Sequence, residues 1–245
     1  MTDRSPELAE ETRRLLELTT TATLTTQLFK RGFRNTFVQG SRRLTPEAPV
    51  MVGAAFTLRM IPAREDLDHP GMFADRSHPQ RRAIEECPAG AVLAIDCRKD
   101  MRGGCLGDIL IARLMERGVA GVVTDGAMRD VPQIAPLAFP VYAGGAAAPA
   151  SFGIHHAVDL NQPIACGDVA VLPGDVLVGD AEGVVVIPRH LADEVARDAA
   201  EQEQLESWIL KEVKAGKGIF GLYPPDDDAR ARYQAWRGAM HDRQA

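Results

Sequence analysis

The sequence predicts an α/β domain in which β/α and β/β elements are mixed and helical extensions lie at both ends. Three observations predict it. Residues 107–130, GDILIARLMERGVAGVVTDGAMRD, run from a helical pattern into an apolar strand pattern and a turn, as a strand–helix–strand unit does. Residues 155–188 break into short apolar runs separated by Gly-Asp and Pro-Gly turns, closer to a barrel or sandwich than to a doubly wound sheet. Both ends are charged, with leucines at helical spacing. Since a domain averages about 150 residues, the 245 residues are read as one domain overall. It divides into an N-terminal helical segment (1–48), a β/β/α core (49–190) and a C-terminal helix and tail (191–245).

Each element has its own signal. Residues 6–18 place Leu8, Leu15, Leu16 and Leu18 among charges, as the apolar stripe of one helix. The threonines of TTTATLTTQLFKRG offer a cap for a second helix that stops at Gly32. MVGAAFTLRMI and GAVLAIDCR, bounded by proline, glycine and charge, read as buried strands, and the proline-rich stretch between them as loop followed by a short helix. Asp108 then caps a helix with Ile111, Leu114 and Met115 on one face and Arg113, Glu116 and Arg117 on another, stopped by Gly118. GVVT is a strand, DGAM a turn, and Asp130 before Val131-Pro132 the cap of a further helix. Residues 191–217 form a long charged helix, and the tail carries a short helix bearing Tyr233, Trp236 and Met240.

Composition narrows the function. The hydrophobic share of 45% and charged share of 25% are those of a globular protein, and the net charge of -6 gives no basic surface for a nucleic acid. Cys87, Cys97, Cys105 and Cys166 lack the spacing of a zinc clip and are too few for a disulfide scaffold, so they read as reduced thiols. No run approaches the ~18 apolar residues of a membrane span. A soluble, cytoplasmic protein is the expectation.

The residues that could carry chemistry lie in the same central stretch. Arg129 and Asp130 follow a buried strand, where a carboxylate can hold a hard cation and a guanidinium can bind a carboxylate or oxyanion with two donors. The alternative is a helix-capping aspartate beside a surface arginine. The loop RGGCLGD, residues 102–108, runs into a helix start and offers free N–H groups and the positive end of a helix dipole to a small carboxylate. It has neither the GK[ST] ending nor the GxGxxG spacing that a nucleotide requires. Asp125-Gly126 needs no role beyond a turn, and the six histidines, His155 and His156 included, form no metal motif. No GxSxG elbow is present, and Glu201, Glu203 and Glu206 read as a solvated helix face.

Taken together, TATLTTQLFKRG, VGAAFTLRMIPAREDLD, GGCLGD, GVVTDGAMRD, PGDVLVGDAEGVVVIP and GLYPP resemble, in order and spacing, the family of 4-hydroxy-4-methyl-2-oxoglutarate aldolases and regulator of ribonuclease activity A. The resemblance implies a swivelling β/β/α fold of the phosphohistidine-domain type, RraA-like, assembled as trimers or hexamers with sites between subunits. It implies Asp130 as the direct ligand of Mg2+ or Mn2+, with Asp108 and a neighbour's Glu206 acting through water, and Arg129 and Asp108 as the catalytic pair. Gly107, Asp108, Ile109 and Leu110, with Arg129, would receive the 2-oxo acid. A sole carboxylate ligand surrounded by water suits Mg2+ or Mn2+ better than zinc. Cleavage of a 4-hydroxy-2-oxo acid and decarboxylation of oxaloacetate both leave a pyruvate enolate, so one site serves both. In one place the chain departs from the pattern: Gln133 stands where the aldolases often carry an acidic residue. The aldolase reading is expected over a protein-binding ribonuclease regulator, because Asp130 is retained. A methyltransferase reading lacks a glycine-rich turn followed by an acidic ribose ligand.

Overall fold

The computed structural model describes residues 8–241, with eight strands in one mixed sheet. Strand β2 (Met51–Pro62) is its spine. On one side it runs parallel to β3 (Val92–Asp96), which is followed by β4 (Gly121–Thr124) and β6 (Val141–Ala143), all parallel, with the short β1 (Arg42–Arg43) antiparallel at the edge. On the other side β2 is shared. Its first half pairs with β11 (Val176–Gly179), which turns back into β12 (Val184–Ile187), and its second half pairs with β8 (His155–Leu160) after a register shift at Arg59/Met60. One strand thus serves two antiparallel partners, and the sheet curls into a half-barrel.

Strands β3, β4, β11 and β12 are buried at every residue, without alternation, because both faces are covered. In β3, Leu93 and Ile95 face one core with Ile84, Ile111, Leu114 and Ile134, while Val92 and Ala94 face a second with Val123, Tyr142 and Leu177. The first core lies under α3 (Pro79–Glu86), α4 (Asp108–Glu116) and the single turn α5 (Val131–Ile134). The second is closed by the hairpin β9 (Ile164–Cys166) and β10 (Val169–Val171). In β11 and β12 the opposite set, Val176, Val178, Val185 and Ile187, packs against Leu16, Leu24, Leu28, Val195 and Ala199. Those residues come from α1 (Glu10–Glu17), α2 (Thr21–Lys30) and α6 (Ala192–Lys214). Each Leu, Ile or Val so buried contributes about 1.5–3 kcal/mol, so the helical ends are as integral as the sheet.

Most elements match their sequence signals, with instructive differences. Of the first apolar stripe, Leu16 is buried but Leu18 is 69% exposed, and Pro6 lies outside the described residues. Thr20 caps α2 by accepting from the Thr23 N–H. Thr36 to Thr45, expected inside a helical segment, instead joins the sheet through β1 and the Phe37–Val185 bridge. Ala127–Met128 is not only a turn but a strand, β5, paired with β7 (Gly145–Ala146). The tail helix α7 (Asp227–His241) is longer than expected and packs Tyr233 on Trp208 of α6. The helix face of glutamates is solvated only in part: Glu203 accepts from the Thr20 N–H and hydroxyl, while Glu201 stays exposed in a pair with Arg237 at 3.3 Å.

Candidate active site

Two loops are zipped together by backbone hydrogen bonds, and the zip positions the site. The Cys105 N–H donates to Ala127 O at 2.8 Å, and the Arg129 N–H donates to Leu106 O at 2.9 Å, so residues 104–106 lie parallel to 127–129. On the far side the Ala147 N–H donates to Met128 O at 2.8 Å. The strands approach so closely that a Cβ on Gly104 would stand 2.6 Å from Arg129 N. The buried amide of Gln80, on α3, donates to Cys105 O at 2.6 Å and clamps the first loop. Asp125, 5% exposed, fixes the neighbouring loop by accepting from the N–H groups of Cys97 at 2.7 Å, Lys99 at 3.1 Å and Gly167 at 3.3 Å. That loop needs fixing, because Arg98 and Lys99 both have positive φ, of 59° and 57°. Burial raises the Asp125 carboxyl above the ordinary range, against the pull of these backbone donors.

The zip delivers Arg129 and Asp130 to the start of α4. Gly107 is the cap residue of that helix and Asp108 its first residue, so Asp108 does not itself cap. Its Oδ1 accepts from the Ile109 N–H at 2.8 Å. The first bond of the ladder is Ile111 N–H to Gly107 O at 3.1 Å, which leaves the N–H groups of Asp108, Ile109 and Leu110 ahead of the ladder, at the positive end of the dipole. A Cβ on Gly107 would meet Asp130 Oδ2 at 2.5 Å and Arg129 Cγ at 3.0 Å. Glycine is therefore the residue that lets the Asp130 carboxylate lie over the helix start.

Asp130 occupies the cap position of α5 in the left-handed conformation, φ 57°, and its side chain makes no capping hydrogen bond. Its carbonyl takes that part, accepting from the N–H groups of Gln133 at 3.0 Å and Ile134 at 3.1 Å. The carboxylate is thus spare for other chemistry, which the capping alternative would not leave. Arg129 Nε lies 3.2 Å from Asp130 Oδ2, but off the direction of a hydrogen bond, and the two side chains are 42% and 35% exposed. The arrangement is a half-open carboxylate and guanidinium at a helix N-terminus.

Arg129 and Asp130 therefore meet Gly107 at the start of α4, which Asp108, Ile109 and Leu110 continue. Gln133 is exposed, with its N–H bonded to the Asp130 carbonyl. Glu206 is on α6, where its carboxylate accepts from Gln202 at 2.8 Å in a groove with Leu205, Ile209 and Tyr223. Among the described residues no three His, Cys, Asp or Glu side chains converge as metal ligands. His155 is buried beside Arg98, and burial and that guanidinium push its pKa down; His156 pairs with buried Asp68 at 2.8 Å. All four cysteines are free and buried. The clamps Gln80 and Asp125 carried no signal beyond an ordinary polar residue in a loop.

The comparisons agree on the family. A family model described as RraA-like, Aldolase/RraA, matches residues 21–186. The structure of Streptomyces coelicolor RraAS2, described as an unusual member of the RNase ES inhibitor RraA protein family, is 32% identical with a TM-score of 0.72, covering 82% of this chain and 96% of that one. A Thermus thermophilus 4-hydroxy-4-methyl-2-oxoglutarate aldolase is 33% identical over 108 residues, which are 44% of this chain and 65% of the relative. A Halalkalibacterium halodurans protein, described provisionally as the same aldolase, is 37% identical over 140 residues, 55% of this chain and again 65% of the relative. The matches thus span just under two thirds of the length of these aldolase relatives. An uncharacterized Pseudomonas syringae protein shares the fold at 24% identity, with a TM-score of 0.76 over 89% of this chain and 98% of that one. By model match, by sequence and by fold, this chain belongs to the RraA-like aldolase/RraA family.

Proposed function

We propose that the chain is a divalent-metal-dependent lyase that releases pyruvate from a 4-hydroxy-2-oxo acid, and from oxaloacetate by decarboxylation. The observation that carries this reading is the uncapped Asp130 carboxylate lying over Gly107 beside Arg129, at the N-terminus of α4. The donor set fits a hard cation: a half-exposed carboxylate with no side-chain hydrogen bond to its own helix, lying over Gly107, the residue that precedes a second aspartate, Asp108. Asp130 would hold the ion directly, and Asp108 and Glu206 of a neighbouring copy would reach it through water. Bound there, Mg2+ or Mn2+ would supply Lewis acidity that stabilises the enolate.

The chain's own residues do the rest. The leading N–H groups at residues 108–110 receive the substrate carboxylate, which takes the place of Asp108 Oδ1 on the Ile109 N–H. Breaking the bond between the third and fourth carbons moves its electron pair into the pyruvate fragment as an enolate, while the 4-hydroxyl gives its proton to water and becomes a carbonyl; the enolate then takes a proton back from water at its third carbon and leaves as pyruvate. The Arg129 guanidinium lies where negative charge develops, and losing a donor so placed costs about 2.7–4 kcal/mol. Because Glu206 stands apart from Asp130 within one chain, the reading includes a homo-oligomer with shared sites. Pyruvate release from oxaloacetate and from 4-hydroxy-4-methyl-2-oxoglutarate, with Mg2+ and then with excess EDTA, tests the proposal. Turnover should vanish on chelation and return with metal, and full turnover in EDTA overturns it. The likeness to RraAS2 supports a second reading, regulation of a ribonuclease. Absence of metal-dependent turnover together with a stable complex with that ribonuclease would favour it.

A further inference from the structure

Beside the start of α4 lies a groove that shares only Ile109 and Leu110 with the proposed reaction centre. It encloses about 610 Å3 between α3, α4 and the turn at Pro70–Ala74, with apolar walls from Phe73, Ile84, Ile109 and Leu110. Ile109 and Leu110 directly follow Asp108, so the groove adjoins the proposed reaction centre. Its volume falls within the range of about 300–1,000 Å3 that holds drug-sized molecules, far more than a pyruvate-sized acid needs.

The charges in this lining are unevenly committed. Arg82 is bound to Glu86 at 2.7 Å and Arg113 to Glu85 at 3.0 Å, while Asp75 accepts from Ser77 at 2.8 Å. Arg76 is exposed. Arg81 is different: its guanidinium lies 4.5 Å over the Phe73 ring, and no carboxylate among the described residues pairs with it. Burial lowers its pKa. His78 packs edge-on against the same ring at 5.4 Å, which holds the platform in place. A guanidinium stacked on an aromatic face presents a planar pair of donors suited to a carboxylate.

We propose that this groove is a second subsite, which takes the part of the substrate beyond its fourth carbon as an apolar arm ending in a carboxylate bound by Arg81. The inference rests on the lyase reading, and it assigns the substrate class: 4-hydroxy-2-oxo diacids with an extended chain. The arm lies along Phe73, Ile84 and Ile109, and its terminal carboxylate supplies the missing counterion of Arg81.

The test uses a series of 4-hydroxy-2-oxo diacids of increasing chain length, the same series ending in a neutral amide, and oxaloacetate as the armless reference, all with Mg2+. In the wild type, kcat/KM should rise with chain length for the diacids and fall roughly ten- to a hundredfold when the terminal carboxylate becomes an amide. Arg81→Gln should abolish that discrimination and Arg81→Lys should restore part of it. No preference for the long diacids, or an equal loss on diacid and amide with Arg81→Gln, overturns the subsite. Titration calorimetry with a long 2-oxo diacid lacking the 4-hydroxyl separates this from failure of the lyase reading. Binding weakened at least tenfold by Arg81→Gln supports the groove even where no pyruvate is released, whereas absent or unchanged binding rejects it.

Discussion

Asp130 holds a left-handed backbone, φ 57°, that a side chain tolerates only when its surroundings impose it, and asparagine tolerates it as well as aspartate does. Asp130→Asn therefore tests charge without disturbing the chain. It should weaken Mn2+ binding in calorimetric titration, while Arg129→Lys leaves Mn2+ affinity near wild type and lowers turnover by roughly two to three orders of magnitude. Two variants that both behave as wild type would end the case for the pair. Gly107 offers an independent probe, because its φ of -126° suits any residue but a methyl group would fall 2.5 Å from Asp130 Oδ2. Gly107→Ala should fold, with stability within about 1 kcal/mol of wild type, and lose most of its pyruvate release. Wild-type turnover from that variant would show that the carboxylate need not lie over the helix start.

At the scale of elements, the site depends on loops that side chains hold from behind. Removing the Asp125 carboxylate leaves three buried or half-buried N–H groups without their acceptor. Asp125→Ala should therefore cost about 2–4 kcal/mol in denaturant unfolding, since a stranded buried polar group costs about 1–3 kcal/mol and these three share one loop. A loss below about 0.5 kcal/mol, the level of an ordinary surface substitution, would contradict this account. This is also where sequence reading reached its limit. The runs VLAID, VLVG and VVVI announced strands, and GDILIARLME announced its helix, because hydrophobic period is local. The capping signal at Asp130 was half right: the residue stands at the cap, but a left-handed backbone turns its carboxylate away, and no composition rule reports φ. The zip of residues 104–106 with 127–129 and the Gln80 clamp are long-range pairings, set by the fold rather than by neighbours in the chain.

At the scale of the whole molecule, two measurements follow. Burial and Arg98 depress the His155 pKa, and burial depresses that of His78, below the ordinary value of about 6.5. Below that value the unfolded chain binds protons that the folded chain refuses, so stability rises with pH up to about 6.5 and is flat above it. The urea midpoint should increase between about pH 5.5 and 7, and His155→Gln should reduce the slope. An unchanged slope would remove His155 from the account. The proposed sharing of sites predicts complementation. Asp130→Asn and Glu206→Ala proteins, each inactive alone, should regain pyruvate release when unfolded and refolded together, because mixed oligomers assemble some intact sites. No recovery in mixed oligomers shown to form by light scattering would place both residues in one subunit's site.

The aromatic cluster at the C-terminal end has a spectroscopic consequence. The chain has two tryptophans, and both belong to this cluster: Trp208 on α6 is buried beside Tyr233, and Trp236 on α7 stacks on the same tyrosine at 6.0 Å. Indole emission therefore watches one joint of the molecule, the seating of α7 on α6, while the half-barrel and its zipped loops contain no indole to report on them. A thermal scan followed by tryptophan fluorescence records the release of that joint, and one followed by far-ultraviolet circular dichroism records the loss of sheet and helix. Agreement of the two midpoints would mean that the tail and the half-barrel unfold as one cooperative unit, and an earlier fluorescence midpoint would mean that the tail lets go first.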